Sequence, residues 1–176
     1  QHGTLPFGYD HKYVYSHFGY NLKVSDMQAA VGLAQLEKLE NFTERRKNNF
    51  AILNEALQPV SDKILLPRTT PGSEPSWFCY LMVLRDNCGF NRNDIVRYLE
   101  KNNIQTRTFF AGNLVRHPCF DTLVKGSDYR ISGTLDNTDK IMNHGFLVGV
   151  YPGMTEDKLR YMADSIIAFI TKKSAE

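Results

Sequence analysis

Hydrophobic positions in the first third of the chain fall on a helical period. Leu39, Phe42, Arg46, Phe50, Leu53 and Leu57 recur at steps of three and four, a stripe whose one polar member is Arg46. Glu40, Glu44, Arg45 and Lys47 then turn to water. Upstream, Ala29, Ala30, Val31, Gly32, Leu33 and Ala34 form a small-residue face that lets another backbone come close. Ser25-Asp26-Met27-Gln28 has the form of a capping box: the Ser25 hydroxyl accepts from the amide three residues on, and Gln28 reaches back to the cap amide. No proline interrupts 27–57, so the pattern predicts one long helix, roughly 45 Å from end to end if unbroken.

Shorter elements follow. Aromatic and β-branched residues at 77–84 predict a strand, and Asp86-Asn87-Cys88-Gly89 a turn. A helix over about 92–102, capped by Asn91 or Asn93, points Ile95, Val96 and Leu99 inward. A second strand is predicted at 104–110 and is broken by Ala111-Gly112-Asn113. An irregular or short helical piece covers 114–124, and 125–134 reads as polar loop. A short helix capped by Thr134 or Asp136 runs through Met142, and a third strand spans 145–151. The last helix starts at Thr155-Glu156-Asp157 and carries Leu159, Met162, Ile166, Ile167 and Ile170 on its buried side. A sheet of about three strands packed with helices is an α+β domain. Three segments result: an aromatic arm at 1–23, a long linking helix at 24–57 and a small α+β domain at 58–176.

Composition narrows the function classes. Of 176 residues, 42% are hydrophobic and 12% aromatic, enough for a core. A net charge of +2, from 21 basic and 19 acidic side chains, creates no nucleic-acid field. No apolar run approaches the ~20 residues of a membrane span, and no N-terminal stretch reads as a signal peptide. Cys79, Cys88 and Cys119 are odd in number and lack metal-ligand spacing, which favours reduced thiols in the cytoplasm. His11 and His17, with Asp10, supply too few ligands at helical or hairpin spacing for a metal site. The start at Gln1-His2-Gly3, without methionine, reads as a cut from something longer.

Three places concentrate polar groups where a strand ends or a loop turns. Gly19-Tyr20-Asn21-Leu22-Lys23 sets an amide and an ammonium on a loop entering a helix N-terminus, which suits an anion. At 106–116, Arg107, Asn113 and Arg116 surround Phe109 and Phe110, a combination suited to a phosphorylated, ring-bearing ligand. At 140–151, Asn143 and His144 precede the third strand, where a solvated helix end is the simpler reading. There is no GxGxxG, Walker loop, CxxC, HExxH or GxSxG, and no general acid–base pair or activated nucleophile stands out.

Gly19-Tyr20-Asn21-Leu22-Lys23, Asp26-Met27-Gln28-Ala29-Ala30, Gly32-Leu33-Ala34-Gln35-Leu36 and Arg45-Arg46 resemble the signature of the sugar aminotransferase family of fold-type-I pyridoxal-phosphate enzymes. Leu5-Pro6-Phe7-Gly8-Tyr9-Asp10-His11-Lys12-Tyr13, Tyr15-Ser16-His17, Phe110-Ala111-Gly112-Asn113-Leu114 and Val150-Tyr151-Pro152-Gly153 resemble one branch of it. That branch comprises the CDP-4-keto-6-deoxy-D-glucose 3-dehydrases of dideoxysugar and lipopolysaccharide O-antigen biosynthesis. The resemblance implies the small C-terminal domain of such an enzyme. The large domain, the catalytic histidine and the ligands of a [2Fe-2S] centre would lie upstream, with 1–23 belonging to that missing part.

The same resemblance implies a full-length enzyme that uses pyridoxamine or pyridoxal 5′-phosphate to remove the C3 hydroxyl of a CDP-4-keto sugar. Electrons would come from an NADH-dependent iron–sulfur flavoprotein reductase. A histidine base fits that chemistry, because it shuttles a proton and cannot trap the cofactor as lysine does. Asn21 matches the family asparagine that contacts cofactor phosphate, typically across a homodimer interface, and His17 lines the same site. Lys23 matches a basic position that reaches substrate, more often arginine, whose bidentate fork lysine lacks. Arg107, Phe110, Asn113 and Arg116 fall in the segment approaching the sugar nucleotide, and Lys140 in a stretch where the branch places a basic residue. The resemblance assigns no catalytic residue to this chain, which by itself is expected to be inactive. Two alternatives stand beside this reading: part of a nucleotide-sugar aminotransferase, and a non-catalytic α+β interaction domain.

Overall fold

The computed structural model describes residues 18–20 and 22–174. They fall into two compact units divided between Lys38 and Leu39.

In the first unit, helix α1 (Asp26–Leu36) starts where the sequence places it. The Ser25 amide donates to Gln28 Oε1 at 2.9 Å, and the Gln28 amide donates to Ser25 Oγ, which closes the capping box. No residue of α1 is buried, and Met27, Val31, Leu33 and Leu36 stand exposed. The single helix expected over 24–57 is in fact two. At Glu37-Lys38 the hydrogen bonds tighten, with the Lys38 amide reaching Gln35 O at 3.1 Å, and a second helix begins at Leu39.

The second unit contains helix α2 (Leu39–Ala56). Its stripe is buried only in its later half: Phe50 and Leu53, with Leu57 just beyond, enter the core, while Leu39 and Phe42 remain at the surface. Arg46, the polar member, donates through Nη1 to Trp77 O at 3.5 Å. One turn on, Phe50 stacks on Trp77 with ring centroids 3.9 Å apart. Asn49, buried and silent in the sequence pattern, donates to Tyr151 O at 2.9 Å and ties α2 to the far end of the sheet.

Four strands form an antiparallel sheet in the order β1-β2-β4-β3, one more than the three or so expected. They are β1 (Ile64–Leu65), β2 (Cys79–Leu84), β3 (Thr106–Arg107) and β4 (Gly145–Gly149). The unforeseen β1 is two residues long, too short to show a period, and pairs Ile64 with Leu84. The predicted strand 104–110 shrinks to β3 because the chain turns straight after Arg107. The Phe110 amide donates to Thr108 O at 2.8 Å, and Phe110 has φ of 46°.

Alternation along the strands sorts the two faces of the sheet. Tyr80, Met82, Leu84, Phe146 and Val148 point into a core shared with α2, with α3 (Arg92–Lys101) and with α5 (Glu156–Ser174). Ile95 and Leu99 of α3 and Leu159, Met162, Ile166 and Ile170 of α5 occupy it as their spacing predicts. Asn91 is the α3 cap, paired with Asp94. Helix α4 (Asp136–His144) lies against β2 and β4 and runs directly into β4 at Gly145. Neither Thr134 nor Asp136 caps it: the cap position is Leu135, which has no side-chain oxygen to offer. No helix among the described residues is long and apolar enough to cross a membrane.

Candidate functional site

The loop leaving β3 is anchored at its start by Glu100. Its carboxylate accepts from the Thr106 amide at 2.7 Å and the Thr106 hydroxyl at 2.8 Å. These bonds, the amide first, hold the Glu100 carboxyl below its ordinary range. Arg107, the last strand residue, is exposed; its Nη1 donates to Thr106 O at 2.8 Å. Gln105, with its amide oxygen turned toward the guanidinium, accepts from Arg107 Nη2 at 2.7 Å.

Beyond Arg107 the loop is held from the side by α4. Asn113 is 3% exposed, and its Nδ2 donates to Asp139 Oδ1 at 2.7 Å. Arg116 donates from Nε to the same oxygen at 2.7 Å and from Nη2 to Oδ2, a bidentate fork on one carboxylate. The Asp139 side chain is 22% exposed and that of Arg116 is 61% exposed. Asn113 also caps the following turn, its Oδ1 accepting from the Val115 amide at 3.3 Å. His117 Nε2 lies 2.6 Å from Ala111 O, so this nitrogen carries the proton and donates. The loop, Arg92 and Asn143 line a cleft of about 280 Å³.

Asp139 is the electrostatic centre of this arrangement. The Arg116 bond, then the Asn113 bond, lowers its carboxyl from 3.8 to about 2. A depressed carboxyl stabilises the fold above its unfolded value, and that contribution is lost as pH falls through the folded value. Denaturation midpoints should therefore drop between about pH 4 and about pH 2, and less so in Asp139→Asn. Equal acid sensitivity of the two proteins would remove Asp139 from the account of acid unfolding.

The remaining sequence-predicted residues are placed as follows. Lys140, next to Asp139 on α4, does not join the cleft: its Nζ donates to Asp86 at 2.9 Å, and that bond lowers the Asp86 carboxyl. Both line a separate, larger hollow of about 1050 Å³ on the open sheet face with Leu65, Leu81 and Val83. Lys23 is exposed, in the first unit. His17 and Asn21 lie outside the described residues. The residue sequence reasoning missed is Asp139. Its partners are 23 and 26 residues away in sequence, so only long-range packing reveals it. Cys79 is half-buried, Cys88 is buried and donates from Sγ to Phe90 O at 3.0 Å, and Cys119 is exposed. Among the described residues no cluster of three or more histidine, cysteine or acidic side chains is arranged to hold a metal ion.

Comparison with known proteins places this geometry in a family. The model of the DegT/DnrJ/EryC1/StrS aminotransferase family matches residues 1–167. The chain is 49% identical to the lipopolysaccharide biosynthesis protein RfbH of Salmonella typhimurium, covering 96% of this chain and 38% of that protein. It is 45% identical to the dTDP-4-dehydro-2,6-dideoxy-D-glucose 3-dehydratase of Saccharopolyspora spinosa, covering 98% of this chain and 36% of that protein. Among solved structures, the E. coli GDP-4-keto-6-deoxy-D-mannose-3-dehydratase with hydrated PLP superposes with a TM-score of 0.74. That match covers 84% of this chain and 36% of the other at 24% identity, and so shows a shared fold. The chain thus spans well under half the length of the proteins it matches. With its α+β fold and a family match over nearly all of its length, this chain belongs to the DegT/DnrJ/EryC1/StrS aminotransferase family.

Proposed function

We propose that this chain is the C-terminal part of a nucleotide-sugar 3-dehydratase that acts on a CDP-4-keto-6-deoxyhexose in lipopolysaccharide or dideoxysugar biosynthesis. The observation that carries this reading is 45% identity, over 98% of the chain, to a protein named a sugar 3-dehydratase. The aminotransferase reading rests on lower likeness, 30% to the EpsN aminotransferase of Bacillus subtilis and 21% to the GDP-perosamine synthase of Vibrio cholerae.

The described residues do not enclose a pyridoxal or pyridoxamine phosphate by themselves. The Ser25 and Gln28 amides at the α1 N-terminus are already taken by the capping box. Asn21 and His17 are proposed to meet the cofactor, Asn21 across a homodimer interface. The [2Fe-2S] centre, its reductase and the catalytic base are assigned to the polypeptide beyond this chain. For the sugar nucleotide, the second unit offers Arg107 and Phe110; Lys23, in the first unit, is proposed by itself to reach substrate. Asn113 and Arg116, both bonded to Asp139, serve the same ligand by holding this loop rather than by touching it. Lys140 lies on its separate hollow, with its Nζ on Asp86.

Arg107 gives the most direct test. In the whole polypeptide, Arg107→Ala should weaken binding of the sugar nucleotide by about 1–3 kcal/mol, the worth of a charge-assisted hydrogen bond. Calorimetric titration reads this directly. Unaltered affinity would leave Arg107 with only its bonds to Thr106 and Gln105.

A further inference from the structure

The loop after β3 stores backbone strain in order to display a ring. Phe110 adopts φ of 46°, a left-handed conformation that a residue with a Cβ takes only when its surroundings over-determine it. Yet the ring is not buried by this: Phe110 is 68% exposed. Phe78, preceding β2, is 66% exposed, and its ring lies 6.3 Å from that of Phe110 at 24° between planes. Half-buried Phe109 supports Phe110 from behind, with centroids 5.4 Å apart.

What over-determines the loop is one face of α4. Asp139 grips Asn113 and Arg116. One turn later, Met142 Sδ accepts from the Asn113 amide at 3.5 Å, and Met142 fills the space beside Gly112. The clasp therefore closes on residues just C-terminal to the displayed ring.

We propose that Asp139 is a positioning residue: through Asn113 and Arg116 it holds the loop so that Phe110, beside Phe78, offers a stacking face to the planar base of a nucleoside diphosphate. The inference rests on the nucleotide-sugar reading above and extends it to residues that reading does not use. Aromatic faces suit this role because every base has a π-face, while a charged group such as Arg107 suits the diphosphate.

The test uses the whole polypeptide titrated with CDP, in a cycle of Asp139→Asn, Phe110→Ala and the double variant. Phe110→Ala should weaken CDP about ten-fold, the scale of one lost stacking contact. Asp139→Asn should weaken it comparably, and the double variant no further than Phe110→Ala alone, because Asp139 acts through that ring. Effects that multiply, or CDP affinity unchanged by Asp139→Asn, would overturn the proposal. If Asp139→Asn does not fold, Arg116→Gln at the more exposed partner enters the same cycle with the same expectations. Amide exchange at Phe110 and Gly112 separates the two readings. Faster exchange in Asp139→Asn is expected whether or not CDP binds, and unchanged exchange contradicts the clasp. A wild-type polypeptide that takes up no CDP would overturn the nucleotide ligand, leaving the clasp to stand or fall on exchange.

Discussion

Phe146→Ala should cost this fold about 3–5 kcal/mol, a large share of the 5–15 kcal/mol that holds a typical domain together. Phe146 is fully buried on β4, the strand paired on one side with β2 and on the other with β3. Its partner across the β2 ladder is Met82, and both face the core shared with α2, α3 and α5. Truncation would remove the largest side chain of β4 from a site closed in by strands and helices, which relax only in part around the cavity. Urea denaturation measures the loss. A cost below about 1 kcal/mol would mean that the sheet face is more loosely packed than the burial of Tyr80, Met82 and Val148 indicates.

Gly112→Ala should have the second largest effect, felt at the site as well as in stability. At φ of 62°, an added Cβ is strained whatever the space available. Here there is no space: the new carbon would lie 2.7 Å from Met142 Cγ and 2.8 Å from its Cβ. Met142 is fixed in turn, because Arg92 donates to its carbonyl at 2.8 Å. The loop must therefore lift off α4 and pull Asn113 away from Asp139. A cost of about 1–3 kcal/mol follows from overpacking alone. In the whole polypeptide, sugar-nucleotide affinity should fall with it, whereas Phe146→Ala acts on stability. Denaturation and calorimetry on the same variant separate the two effects. Wild-type values in both would show that the loop tolerates displacement from α4.

The helices of the second unit were legible in the sequence because each carries an apolar stripe at helical spacing. Ile95 and Leu99, and Leu159, Met162, Ile166 and Ile170, are buried where the pattern puts them, with Val96 and Ile167 partly so. The break at Glu37-Lys38 was not legible. Gln35, Glu37 and Lys38 are good helix formers, and no glycine or proline marks the turn. Nor was β1, whose two residues exist as a strand only because β2 offers an edge.

At the candidate site, the sequence singled out the loop after β3 without showing what holds it. Asn113 and Arg116 look like ligand contacts because an amide and a guanidinium flank aromatic residues. The structure gives both a carboxylate partner from α4, and Asp139 within Asp136-Asn137-Thr138-Asp139-Lys140 reads in isolation as one more solvated helix charge. Periodicity carries no information about a bond spanning more than twenty residues. Phe110 is a miss of another kind. The pattern draws it as the last residue of a strand over 104–110, but a left-handed backbone at phenylalanine has no sequence signal, so the strand was drawn too long.

The proposal that this chain supplies one side of a sugar-nucleotide pocket draws on the family match, the likeness to a 3-dehydratase and the exposed Arg107 and Phe110. The reaction product decides between the two chemistries of this family. The whole polypeptide should be supplied with pyridoxamine phosphate, an NADH-dependent iron–sulfur reductase and CDP-4-keto-6-deoxy-D-glucose. Mass spectrometry should then find a sugar that has lost its C3 oxygen, formed only while NADH is consumed. An amino sugar formed with glutamate as nitrogen donor, with the C3 oxygen retained, would contradict the dehydratase assignment.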